Sequence, residues 1–132
     1  MATSIQILQD GPRNVTVKYV GVLTANMAEE VVVDPATLTD FDINGVKATK
    51  LRVDKIQYDV EDLLAINLLF EGASVDSPIW YCVGRGIGSI KAQGGISNNA
   101  TNPTGKIIAT SDYTGTGATP LSFSIILDLV KQ

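Results

Sequence analysis

The 132-residue chain has no histidine, one cysteine and one tryptophan. Without histidine it lacks the side chain most often used as a general base or metal ligand near neutral pH. A lone cysteine, Cys82, excludes an intramolecular disulfide. Cys82 lies in the apolar run "PIWYCVG", residues 78–84, which predicts a buried, inert thiol. A reactive thiolate would need a basic neighbour, and no histidine can supply one. Aromatic residues are 6% of the chain, too few to favour the aromatic-lined cleft of a sugar hydrolase. No apolar run approaches the ~18–20 residues that span a bilayer, so no membrane partner is expected. The ten Lys and Arg are scattered and the net charge is −4. That argues against direct nucleic-acid binding, which favours a basic face. The N-terminus has no basic stretch leading into an apolar one, so no signal peptide is expected. The sequons at Asn14 and Asn99 then read as chance matches.

Charged residues are only 18%, below the usual ~25%. Either the core is large or part of the surface is buried against partners. The length suits a single domain spanning residues 1–132.

The dominant hydrophobic period is two. Val15, Val17, Tyr19 and Leu23 share one parity, as do Leu64, Ile66, Leu68 and Phe70. Leu121, Phe123, Ile125, Leu127 and Leu129 form the clearest series. Such alternation predicts half-buried strands. Between residues 51 and 60 the phase slips. Leu51 and Val53 have one parity, and Ile56, Tyr58 and Val60 the other. An extra residue near Asp54-Lys55 predicts a β-bulge or bend, which would let the strand pass from one sheet to a second.

Turn signals separate the runs, including Asn44-Gly45, expected to close a hairpin. The best helical candidate, residues 24–31, is short. The segments 94–105 and 114–119 read as mobile loops. The pattern predicts an all-β domain: an antiparallel β-sandwich of about eight strands in jelly-roll or Greek-key order.

Chemical motifs fail on inspection. Gly84 and Gly86 begin a dinucleotide fingerprint, but Ser89 replaces its third glycine and no helix follows. Gly105-Lys106 is followed by Ile107, which breaks a P-loop. The alternating glycines instead predict a bulge or close backbone approach. Asp40, Asp42, Asn44 and Gly45 match half an EF-hand loop, yet position twelve is Leu51. An acidic hairpin is favoured, with weak calcium binding left open. The expectation is no enzyme, no cofactor, and no catalytic or metal residues. Trp80 reads either as a core anchor or as an interface residue. Arg85, Lys91, Gly94 and Gly95 are candidate contact residues because they lie in the glycine-rich segment 84–99.

The order of landmarks resembles a family of small tailed-phage virion proteins. These landmarks are "DGPRN" at 10–14, "RVDKIQYDVED" at 52–62 and "IWYCVGRGIG" at 79–88. "GGISNN" at 94–99, "TGKIIATS" at 104–111 and the closing "LSFSIILDLVKQ" complete the series. The resemblance implies a non-enzymatic capsid decoration or cement protein on the virion head surface, made in the host cytoplasm. It would bind the major capsid protein and form a dimer or trimer. The alternatives are a tail or head–tail junction role, and a carbohydrate- or receptor-binding β-sandwich module.

Overall fold

The computed structural model describes residues 2–40 and 44–132. Among them are nine strands: β1 (Ala2–Asp10), β2 (Asn14–Leu23), β3 (Glu30–Val33), β4 (Leu51–Val60), β5 (Leu64–Val75), β6 (Ser77–Cys82), β7 (Arg85–Ser89), β8 (Thr101–Tyr113) and β9 (Leu121–Lys131). One sheet runs β1-β2-β9-β4-β7 and the other β3-β8-β5-β6. The antiparallel partners nest as β2·β9, β3·β8, β4·β7 and β5·β6. This is a hairpin rolled into two sheets, the jelly-roll order. The ninth strand, β1, is added at the edge of the larger sheet, one more than the expected count of about eight.

The parity read from the sequence is the parity of the core. Val15, Val17, Tyr19 and Leu23 face inward from β2, Ile66, Leu68 and Phe70 from β5, and Phe123, Ile125, Leu127 and Leu129 from β9. β-Branched and aromatic side chains suit this pleated, half-buried surface. The Tyr19 and Phe123 rings meet at 5.0 Å between centroids. Tyr19 keeps its polar tip satisfied by donating to Glu30 Oε1 at 2.7 Å. Burial, then that carboxylate, pushes the Tyr19 pKa up.

The phase slip is a bulge. Val53 pairs with Leu129 and Lys55 with Asp128, which leaves Asp54 as the extra residue. The bend does not carry β4 into the other sheet, because β9 stays paired with it on both sides of the slip. Three further expectations change. Residues 24–31 contain no helix. Residues 45–48 form no strand, so no β-hairpin is built on the Gly45 side; Asp42 lies outside the described residues. Thr101–Gly105 belongs to β8 and is not a loop.

At one end of the sandwich lie the connections 24–29, 61–63, 83–84 and 114–120. The opposite end holds 11–13, 34–40, 44–50 and 90–100. That second end is locked by a buried ammonium. Lys131 Nζ pairs with Asp10 Oδ1 at 2.8 Å. It also donates to the carbonyls of Gly11 (2.7 Å) and Thr39 (2.9 Å) and to Thr39 Oγ1. The last strand, the first hairpin and the loop after β3 thus share one charge.

Burial acts to raise the Asp10 pKa, but bonds from Lys131 and Thr39 and the ammonium charge outweigh it, and the net shift is downward from 3.8. A carboxyl that titrates lower when folded stabilises the fold above its unfolded pKa. That contribution is lost as pH falls through the folded value. Asp10→Asn is expected to lower stability at pH 7 by about 3 kcal/mol, since the ammonium is left buried without its counter-charge. The variant should also lose part of the acid sensitivity below pH 3.8. Urea denaturation at a series of pH values measures both.

Candidate functional site

The glycine-rich segment 84–99 divides into two structural roles. Gly86 and Gly88 lie in β7, opposite Tyr58 and Ile56 of β4. A Cβ on Gly86 would sit 2.6 Å from Tyr58 Oη, and one on Gly88 would sit 3.0 Å from the Trp80 ring. Aromatic rings, and not a neighbouring backbone, are what approach here. Tyr58 and Trp80 lie 6.4 Å apart and close the β6/β7 side of the sandwich. Trp80 is half-buried and packs against the core.

The second half is pinned to the bulge. Ile90 N–H donates to the Asp54 carbonyl at 2.9 Å, and Ile96 exchanges both backbone bonds with Val53. Gly95 has φ +77°, and a Cβ there would lie 2.5 Å from Asp54 Oδ1. Asp54 is itself gripped by Arg52, with Nε to Oδ1 at 2.8 Å. Gly94 faces open space at φ +94°. Within this segment Gly95 and Ile96 are therefore held against the sheet.

These placements separate the five candidate contact residues. Trp80 points into the sandwich. Arg85 starts β7 on the outer face, 3.3 Å from Asp59 in an open ion pair of little energetic weight. Lys91 lies beyond the far end of β7, on the rim of a groove of about 290 Å³ with Asp54, Lys55 and Asp128. Gly94 is exposed and Gly95 is needed within the chain. They do not form one site.

A different cluster does form, at the end that gathers 61–63 and 83–84. Leu63, Tyr81 and Val83 are 59%, 52% and 54% exposed, and they line one shallow depression with Asp112 and Thr114. Leu63 has φ +70°. A bulky residue in the left-handed region costs about 1–2 kcal/mol, and glycine is the usual occupant. The turn holds it there: Leu64 N–H donates to the Glu61 carbonyl, and Thr114 donates to the Leu63 carbonyl from N–H and hydroxyl, each at 2.8 Å. Tyr81 Oη donates to Asp112 Oδ2 at 2.9 Å, which raises the Tyr81 pKa and fixes its ring. Glu61, Asp62 and Asp112 make the surroundings acidic. Sequence reading missed this cluster. In sequence Leu63 reads as the start of the apolar run of β5, and no local signal marks it.

Cys82 is fully buried, and burial pushes its pKa up to about 12. Among the described residues no three His, Cys, Asp or Glu groups gather as a metal site. Burial and the nearby carboxylates of Glu71 and Asp76 raise the Glu29 pKa, but these groups line none of the depressions named above. No known protein family, curated protein or solved structure matches the chain.

Gly95→Val is expected to lower folding stability by about 2 kcal/mol or more through clash and strain, against about 1 kcal/mol for Gly94→Ala. Urea melts of the two variants compare them. Cys82 is expected to resist a thiol reagent at pH 8 in the native protein and to react on unfolding.

Proposed function

We propose that the chain is a structural virion protein, a capsid decoration or cement protein of a tailed phage that binds the major capsid protein and stabilises the head. Three observations support this reading. The landmarks resemble those of small phage virion proteins. The jelly-roll order is one that viral capsid domains share with lectins and other proteins. The loop end carries an apolar cluster that the fold itself does not need.

The third observation carries the most weight. Leu63 is exposed, apolar and held in a strained backbone conformation. Strained residues persist where the surrounding structure over-determines them, and they cluster at functional sites. An exposed Leu, Tyr and Val beside acidic residues is suited to a protein surface that is apolar at its centre and basic at its margin. Contacts of this size are modest singly and gain by repetition over a lattice.

Two experiments test the proposal. In purified virions the protein is expected at hundreds of copies, as density on the head in cryo-electron micrographs. A handful of copies on the tail would overturn the head assignment, and absence from virions would overturn the whole reading. Leu63→Gly is expected to raise stability by about 1 kcal/mol by relieving the positive φ. The same variant should bind undecorated heads at least tenfold more weakly. Unchanged binding would remove Leu63 from the contact.

A further inference from the structure

The larger sheet ends in a strand whose middle no described residue covers. Among the described residues β1 has β2 on one side and no partner strand on the other. It projects beyond the four-stranded sheet, so its inward-facing side chains lack full cover. Ile5 and Ile7 lie opposite Tyr19 and Val17 in the ladder, whose side chains are fully buried, yet they are 38% and 42% exposed. Leu8, at the irregularity between Ile7 and Gln9, is 49% exposed. Both ends of the strand are tied down within the chain. Thr3 Oγ1 donates to Glu30 Oε2 at 2.8 Å, and Asp10 is held by Lys131 and Thr39.

Edge strands are ordinarily blunted by lysine, proline, inward-pointing charge or very short length. β1 has nine residues, no proline, and no charge before Asp10. The two carboxylates near it, Asp10 and Glu30, are engaged by Lys131 and by Tyr19 and Thr3. The stretch Ser4–Leu8 therefore carries no charge of its own and is apolar on its inner face, while Lys18 stands one strand behind Gln6 on the outer face. An antiparallel edge is self-complementary under a two-fold axis. A register centred on Gln6 sets Ile5 of one copy opposite Ile7 of the second, on the inner face where each lacks cover.

We infer that two copies of this chain pair through β1, joining their five-stranded sheets into one continuous sheet across a two-fold axis. The occupant is a second copy because the edge offers no charge with which to select another partner. This inference does not rest on the proposed virion role. One strand pair buries less than a standard interface of about 1,600 Å², so a dissociation constant of roughly micromolar is expected.

Sedimentation velocity from about 1 to about 200 µM tests it, a range that brackets a micromolar constant. The wild-type chain should move from 14.0 kDa towards twice that mass. Ile5→Lys, at an exposed position, should weaken association at least tenfold by setting an ammonium group against Ile7 of the other copy on each side of the axis. Ile7→Lys provides the same readout if that variant folds poorly, with circular dichroism reporting the fold of each. Leu63→Asp, at the loop end, should dimerise as the wild type does. Amide exchange across Ser4–Leu8 should slow with concentration in the wild type. A wild-type chain that stays at 14.0 kDa throughout overturns the inference, as do folded lysine variants that associate as tightly as wild type.

Discussion

β4 has one residue more than its partner β9 between Val53 and Lys55, and much of the larger sheet is arranged around it. A strand's side chains alternate faces, so an odd insertion reverses the parity of everything beyond it. Leu51 and Val53 before the bulge, and Ile56 and Val60 after it, all reach the core only because Asp54 is set aside. The extra residue then becomes an anchor. Its carbonyl accepts Ile90, its carboxylate takes Arg52, and its side chain leaves room for nothing larger than glycine at position 95. Gly95 is thus a glycine because it must fit closely over the bulge, whereas Gly86 and Gly88 make room for Tyr58 and Trp80.

The buried Lys131 imposes a comparable constraint at the end of the chain. An ammonium taken out of water is tolerated only with its charge and donors answered. Here one carboxylate, two carbonyls and a hydroxyl answer it. Those acceptors come from residues 10, 11 and 39, so the group cannot be satisfied until the first hairpin, the third strand's exit and the last strand are together. It specifies which segments meet at that end, whereas the apolar core specifies only that two faces meet.

How much of this could be read from sequence follows from how local the signals are. The strand parity of β2, β5 and β9 and the slip at Asp54 are periodic, and periodicity survives in one dimension. Counting strands and turns gave a two-sheet sandwich and left jelly-roll and Greek-key orders open, because strand order depends on pairings between distant segments. Lys131 was invisible because a lysine next to the last residue looks like a solvated terminus until Asp10 and Thr39 arrive from 121 and 92 residues away. β1 was missed because Ile5, Ile7 and Leu8 break strict alternation at a bulge. Leu63 was absorbed into the apolar run that opens β5, since nothing in "EDLLA" shows that the first leucine takes a positive φ. The glycines at 86 and 88 were noticed, but the rings they accommodate belong to Tyr58 and Trp80 on other strands. Contact residues chosen for their place in a glycine-rich stretch therefore scattered, while the residues that do gather come from two separate turns.

The two surfaces argued for above have a defined mutual geometry. β1 runs from Ala2, beside the β2 residue Val22 at the loop end, to Asp10 at the opposite end. A second copy joined antiparallel to that edge must point its own loop end the other way. The pair then carries two Leu63 clusters facing outward at opposite ends of a single ten-stranded sheet. The longest strand of each sandwich, β8 with 13 residues, spans about 40 Å at ~3.3 Å per residue. Such a body is a two-ended linker, and each end grips more firmly because the other is held, provided the two partner surfaces are spaced to match. A parallel arrangement or a monomer would have one usable end. Edge pairing and the strained turn are thus independent physically, but together they favour bridging between two neighbours over capping of one.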